Sequence, residues 1–470
     1  MTGCTQTVFN FHTLDRRAVE ARFDGGCITS DAGAVLLREV ERRVGVIARA
    51  AACFTDYRDP DSIEHPLEKL IAQRVFGIAM GYEDLNDHEH LRADPLFAVL
   101  ANCSDVQGTA RRRARDKGCA LAGKSTLNRL ELSPDDANAD SRYKKIVYNT
   151  DAFERLLVDL FLEAYPTPPN EITLDLDTTD DPLHGHQEGR FFHGYYREYC
   201  YLPLYIFCGE HLLCAKLRTA DQDGAAGCLD EVRRIVEQIR ARWPNVAITL
   251  RGDSGFCRDE LLAWCESNTV FYCVGLAKNE RLKKEIAVEL EQAKKQHDET
   301  KKAARVFKDF RYRTLNSWSA ERRVIGKAEH LDKGSNPRFV VTNLPVEKMN
   351  GRDVYEDFYC ARGEMENRIK EQQMYLFADR TSAATMRANQ LRLWFSSLAY
   401  ILLQTLRRIG LKGMEMERAQ CGTIRLKVLK IGARIQVSVR RVLLSLAEAY
   451  PYKVIFAHAH RAILAMPLRC

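Results

Sequence analysis

Between residues 171 and 276 the hydrophobic pattern switches repeatedly between the period of a strand and that of a helix. Ile172, Leu174 and Leu176 alternate with Thr173, Asp175 and Asp177, which predicts a strand with one apolar face and both carboxylates on the other. Two further apolar runs, YCYLPLYIFC and LLCAKLRTA, meet at Gly209-Glu210 in the manner of a hairpin. Leu229, Val232, Ile235, Val236 and Ile239 then recur at helical spacing and stop before Pro244. VAITL, a helix over DELLAWCES, and VFYCVGL complete the series. The succession is three strands, helix, strand, helix, strand. Asp177 falls at the end of the first strand and Asp253 just past the fourth.

On either side of this core the pattern changes. Residues 1–150 read as mainly helical. Ser30 is placed to cap a helix with Leu36, Val40, Val44 and Ile47 as its stripe, and Leu67, Leu70, Ile71 and Val75 mark a second. In KSTLNRLEL, Ser125 would cap a short helix presenting Lys124, Asn128 and Arg129, side-chain types that contact phosphates and base edges. After Leu276 a charged helix near NERLKKEIAVELEQAKKQ leads into FKDFRYRTLNSWSAERRVIGKAEHL and PRFVVTNLP, which alternate as strands. In YCARGEMENRIKEQQ, Tyr359, Arg362 and Glu366 are spaced by three and four, with Lys370 a turn further on. That spacing predicts one helix face. The implied organisation is a helical region 1–150, a core over 165–300, a β-rich insertion over 301–350, the second part of the core over 351–412, and a C-terminal region 413–470.

Composition narrows the class. With 470 residues, 46% hydrophobic and 29% charged, the chain reads as a soluble multi-domain protein. MTGCTQTVFNFHTLDRR has no apolar signal core, and the stretch near LWFSSLAYILLQTL is too short and mixed to span a bilayer. A cytoplasmic location without membrane attachment is expected. Fifteen cysteines, none spaced C-x2-C, favour buried reduced thiols over a disulfide framework or zinc ribbon. The net charge of +6 is uneven, because the stretch from Arg380 onward carries sixteen Lys and Arg against three Glu. A polyanion is the natural partner of such a segment. TIRLKVLKIGARIQVSVRR interleaves Arg425, Lys427, Lys430, Arg434, Arg440 and Arg441 with apolar positions, so packing and phosphate contact are both open to it.

Three carboxylates on separate elements, Asp177, Asp253 and Glu366, suit hard cations such as Mg2+ or Mn2+. Two such ions per active site activate a water and stabilise a leaving oxygen in phosphodiester cleavage. Asp177 is the expected bridging ligand, and Asp175 a reserve read as a solvated strand-end charge. Other patterns point elsewhere. GCALAGKS at 118–125 has the Walker A spacing, which would make the chain a P-loop ATPase using Lys124 and Ser125. A P-loop, however, needs an apolar strand before it, and TARRRARDKG precedes it here. His184, His186 and His193 have the residue type of a transition-metal site but read as a loop facing DNA. His88-x-His90 and His458-x-His460 read as surface pairs.

The blocks CTQTVFNF, FDGGCITSDAG, GYEDLNDH, AGKSTLNRLEL, HGHQEGRFFHGYY, ARGEMENRIKEQQ and RANQLRLWF, with D-T-T at 177–179 and Y-x2-R-x3-E at 359–366, resemble the DDE-class insertion-sequence transposases. The likeness is strongest to the bacterial family numbered thirteen-eighty. The resemblance implies an α/β fold: an RNase H-like catalytic domain interrupted by a β-rich insertion, a mainly helical N-terminal DNA-binding region and a basic C-terminal region. It implies cut-and-paste transposition by a homodimer on paired terminal inverted repeats, joining to target DNA, and no nucleotide cofactor. Tyr359, Arg362 and Lys370 would then hold the element-end phosphates, Trp318 would stack on an everted base, and Lys124, Arg129, Arg440 and Arg441 would contact DNA. A catalytically inactive DNA-binding regulator derived from such an enzyme is the other reading, although none of its three carboxylates is lost. Related transposases carry a lysine seven residues after the glutamate. Here that position is Gln373, and Lys370 is expected to substitute.

Overall fold

The computed structural model describes residues 7–468, which form two compact units: residues 148–397, and residues 7–147 together with 398–468. The central unit is built on a nine-stranded mixed sheet. Its first five principal strands are β1 (Glu171–Thr178), β2 (Leu204–Cys208), β3 (His211–Lys216), β4 (Ala247–Gly252) and β5 (Phe271–Leu276). They lie side by side in the order β3-β2-β1-β4-β5. β1, β4 and β5 run parallel, while β2 is antiparallel to both β1 and β3. The β2–β3 turn is at Gly209, whose φ of 57° is the left-handed conformation a tight hairpin requires.

The alternation in β1 sorts its side chains as expected. Ile172, Leu174 and Leu176 are buried against Val232, Ile235, Val236 and Ile239 of helix α1 (Cys228–Arg242) and against Leu261 and Leu262 of α2 (Asp259–Ser267). Each fully buried aliphatic side chain contributes roughly 1.5–3 kcal/mol, so this face anchors the sheet. Thr173, Asp175 and Asp177 point to the other face. YCYLPLYIFC is not one strand: the chain bends at Leu202-Pro203, and Glu198–Tyr201 pairs instead with Phe191–His193 and Asp181–Pro182 in a separate three-stranded sheet. Proline cannot donate to a ladder, which ends the run there.

The strands expected as a separate insertion extend the main sheet. β6 (Ala304–Tyr312), β7 (Arg322–Leu331) and β8 (Arg338–Thr342) continue it beyond β5 in the order β8-β7-β6, all antiparallel. Trp318, expected to meet an everted base, lies instead in the core at 5% exposure, edge-on to Tyr312 and beneath the Arg322 guanidinium.

In the other unit, the N-terminal and C-terminal segments fold together, so 413–470 is not a separate region. Lys430 pairs with the buried Asp31 at 2.6 Å, Arg425 donates to the carbonyl of Ala79 at 2.8 Å, and Ile28–Thr29 is a third strand beside the 433–437/442–446 hairpin. Arg425 and Lys430 therefore serve packing. Ser30 caps no helix. A 3-10 turn begins at Asp31, and Gly45 (φ 69°) breaks the expected stripe into Val35–Val44 and Val46–Ala51. His88 is fully buried against Gln73 and Arg74 rather than at the surface. The cysteines among the described residues are free and mostly buried, while Cys4 and Cys470 lie outside those residues. No helix among the described residues is long and apolar enough to cross a membrane.

Candidate active site

The polar face of the sheet is closed by the segment carrying Tyr359, Arg362 and Glu366. This segment is not one regular helix. A π-helical stretch (Val354–Tyr359) passes through a 3-10 turn (Cys360–Arg362) into α3 (Gly363–Leu376). Helical irregularities of this kind concentrate at functional sites. An ion pair fixes its height over the sheet. The parallel β1–β4 register sets Arg251 directly beside Asp175. The guanidinium clasps that buried carboxylate at 2.5 and 2.8 Å and donates to the carbonyl of Phe358 at 2.5 Å. Asp175 is thus a buried anchor at 4% exposure, not a solvated charge. Burial raises its pKa even against the pull of Arg251. At the far end, Arg368 of α3 bonds Glu210 in the β2–β3 turn at 2.6 Å.

Arg251 is a positioning residue that its sequence position alone did not reveal. Lysine in its place keeps one charge but not the two-pronged contact. Arg251→Lys is therefore expected to lose about 2 kcal/mol of stability, read as a lowered denaturant midpoint with unchanged slope. An unchanged midpoint would refute the anchor.

Above this anchor the three carboxylates come from three elements. Asp177 is the penultimate residue of β1. Asp253 follows β4 and caps the 3-10 turn Ser254–Phe256, accepting from the Gly255 amide at 2.8 Å. Glu366 lies in the first turn of α3. The Arg362 guanidinium joins two of them, 3.3 Å from Asp177 and 2.7 Å from Glu366. Tyr359 reaches the β4–β5 end. A Cβ on Gly275 would lie 2.7 Å from its hydroxyl and 2.8 Å from the Ser254 amide, so only glycine admits this approach. A cavity of about 230 Å³ opens beside it, with Lys278 and Arg338 in its wall.

Burial pushes the Asp177 carboxyl up to about 6, with Arg362 opposing and Asp253 and Glu366 adding to the rise. Among the described residues no three His, Cys, Asp or Glu side chains are gathered tightly enough to hold a metal ion as they stand. The donor set is nonetheless of the right kind: three hard oxygen donors, with two of them already holding a cation, the guanidinium. The raised Asp177 carboxyl also has a consequence for stability. Because its folded pKa lies above its ordinary 3.8, the stability it contributes is present below that value and lost as pH rises through about 6. Asp177→Asn should therefore raise the melting temperature in EDTA near pH 7.5, by an amount equivalent to about 3 kcal/mol. The gain should shrink toward pH 4; an equal gain at both pH values would exclude this cause.

The remaining expected residues divide. Lys370 is exposed and, among the described residues, makes no hydrogen bond or ion pair. Gln373 instead faces the segment after Asp177, its Nε2 donating to the Asp180 carbonyl and the buried Asp181 carboxyl, each at 3.2 Å. Gln373, at the position matching the relatives' lysine, thus lies beside the site, while Lys370 stands exposed one turn before it. In the other unit, Arg129 lies in the wall of a cleft of about 650 Å³ with Arg58, Arg111, Arg142 and Lys145. Lys124 starts its helix at Gly123, so Ser125 does not cap it; the Lys124 amide donates to Glu89 at 2.7 Å and its Nζ to Asn86 at 3.0 Å. A 3-10 turn rather than a strand precedes it, so the Walker-like spacing lacks P-loop geometry. Arg440 and Arg441 stand exposed at the turn of the 433–446 hairpin.

None of the curated proteins compared with the chain matches it. A solved structure, the piggyBac transposase synaptic complex with hairpin DNA, aligns over 85% of this chain and 80% of that one at 11% identity, with a TM-score of 0.39. The sequence family described as Transposase DDE domain group 1 matches residues 11–468. That span takes in Asp177, Asp253 and Glu366 together with Arg362, and the chain belongs to this family of DNA transposases, metal-dependent DNA endonucleases and strand transferases.

Proposed function

We propose that this transposase moves an insertion sequence of the bacterial family numbered thirteen-eighty by cut-and-paste, with Asp177, Asp253 and Glu366 as its metal-binding triad in an RNase H-like domain. The observation that carries the reading is the convergence of Asp177 and Glu366 on a single guanidinium, with Asp253 near enough to act electrostatically on both Asp177 and that guanidinium. The strand order β3-β2-β1-β4-β5, with β2 alone reversed, supports the RNase H-like assignment.

Two Mg2+ or Mn2+ ions, when bound, would supply an activated water and stabilise the leaving oxygen. Asp177, Asp253 and Glu366 would hold these ions through their carboxylate oxygens. Arg362 would turn its fork to the scissile phosphate, a contact that suits its planar donors. Tyr359 would brace the strand end beside Asp253. Burial of Asp175 and Arg251 beneath keeps this set in register. One strand is hydrolysed at each end, and the exposed 3′-OH serves in second-strand cleavage and in joining to target DNA. A homodimer on paired inverted repeats supplies one site per end.

The deciding experiment incubates the wild-type chain with DNA carrying the inverted repeats that flank its gene, in Mg2+ without ATP. Nicks exposing 3′-OH ends, followed by joined products, are expected. A strict ATP requirement, or binding without any cleavage, would overturn the reading in favour of an ATPase or an inactive regulator. DNA contact by the basic hairpin has its own measure. Neutralising both Arg440 and Arg441 should flatten the plot of log affinity against log salt by roughly two units of slope, about 0.9 for each phosphate no longer neutralised. An unchanged slope would leave those arginines without a phosphate.

A further inference from the structure

The loop between β1 and β2 carries an unusual surface. Every exposed aromatic side chain of residues 148–397 lies within it: Phe191, Phe192, Tyr195 and Tyr199. Phe192 and Tyr199 face each other across the 191–193/198–201 strand pair, edge to face at 5.5 Å. Tyr195, at the tip, is 84% exposed, and Phe192 is 56% exposed. Cross-strand pairing accounts for the contact between Phe192 and Tyr199. It does not account for leaving the Phe192 and Tyr195 rings in water.

Two arginines flank the rings, in a loop that also carries Asp180, Asp181, Glu188 and Glu198 and lies close to the carboxylate site. Arg190 lies flat over Tyr199, 3.7 Å from the ring centre, and its buried Nε has no hydrogen-bond partner. Arg197 is exposed at the tip, held in a left-handed conformation (φ 60°) by a turn closed from its amide to the His193 carbonyl at 2.8 Å. Tyr196 leans back to the carbonyl of Thr178, the residue after Asp177, at 3.5 Å, while its ring packs edge-on against Tyr195 at 5.0 Å. The exposed rings are therefore tied directly to the strand end that carries Asp177.

We propose that Phe192 and Tyr195, backed by Tyr199 and Arg190, form a stacking platform for unpaired nucleobases of the DNA strand next to the cleaved phosphate. Aromatic faces bind any base by stacking, and guanidinium groups extend the stack or take the adjoining phosphate. Nucleobases are favoured over a protein partner because the ring-bearing tip also carries arginines and adjoins the site where this enzyme acts on DNA. With Trp318 buried, this loop is where residues 148–397 offer a base an exposed ring. The inference rests on the assignment of the carboxylate site as the place of cleavage.

The test is fluorescence anisotropy with the full-length protein in Ca2+. It compares a blunt duplex of the element's own end, the same duplex with an unpaired tail of about four nucleotides, and that tail made abasic. The wild type should bind the tailed duplex on the order of 10-fold more tightly than the blunt one, and the abasic tail should lose the preference. Phe192→Ala and Tyr195→Ala should each remove most of it, while Tyr195→Phe should retain it. Melting temperatures of these surface variants should match the wild type. Equal preference in the Ala variants, or an abasic tail bound as well as a normal one, would overturn the platform. So would a change in oligomeric state without a change in DNA affinity, which would assign the rings to a second copy. Cleavage of the blunt end in Mg2+ by the wild type is scored in parallel. Its absence would strike the cleavage-site assignment itself, whereas intact cleavage without a tail preference would strike only the platform.

Discussion

Asp253→Asn is expected to reduce single-turnover cleavage of a labelled element end at least roughly 10⁴-fold in Mg2+ while leaving the affinity for that end within about twofold of the wild type. The amide replacement is chosen because Asp253 caps a turn and is also the proposed metal ligand. Its Oδ1 accepts from the Gly255 amide and caps the 3-10 turn after β4, and asparagine caps comparably well. What asparagine cannot provide is the charge a hard cation requires. Asp253→Ala loses both, so it should be equally inactive and also less stable by about 1 kcal/mol. A loss of cleavage in the alanine variant alone would mean that the cap, not the charge, is the contribution of Asp253. Near-normal cleavage by both variants would remove Asp253 from the site.

How much of this site is legible in the sequence depends on the range of the interactions involved. The β1 alternation, the Gly209 turn and the helical stripe of α1 are local, and each forms as the period of its apolar residues dictates. The positions of Asp177 and Asp253 at strand ends follow from that. Asp175 shows the limit. Its place on the polar face was readable, but its burial depends on the β1–β4 register that sets Arg251 beside it, and register between distant strands leaves no mark in either segment alone. Trp318 is similar: a tryptophan in a polar stretch looks available, and only the packing of Tyr312 and Arg322 around it makes it core. The strands after residue 300 were recognisable as strands, but their joining β5 through β8 rests on edge pairing that no local pattern encodes. The spacing of Tyr359, Arg362 and Glu366 suggested a continuous helix. The π and 3-10 turns there accompany tertiary bonds to Phe358 and the tight approach at Gly275, which override the local period.

Arg362→Ala should move two observables in opposite directions, slowing cleavage on the order of 10³-fold while tightening Mn2+ binding to the free protein. The guanidinium spans Asp177 and Glu366. Burial lowers its pKa, but these two carboxylates more than restore it, so the net shift is upward and the group is firmly charged. A divalent ion bound by the same oxygens must therefore displace it. The contact is partly open to solvent, with Glu366 41% exposed, so its loss is worth only about 1 kcal/mol, or roughly fivefold in Mn2+ affinity. Cleavage suffers more because the displaced guanidinium is the group expected to clamp the reacting phosphate, where a donor fork acts on developing charge. Arg362→Lys separates the two roles. Its ammonium still competes for the carboxylates, so Mn2+ affinity should stay near the wild-type value. It cannot make the bidentate phosphate contact, so cleavage should remain well below normal. Mn2+ titrations followed by electron paramagnetic resonance, set beside single-turnover cleavage, provide both measurements. If Arg362→Ala weakened Mn2+ binding, the guanidinium would be supporting the carboxylates rather than competing for them. If cleavage by Arg362→Lys were normal, its role would be charge neutralisation alone.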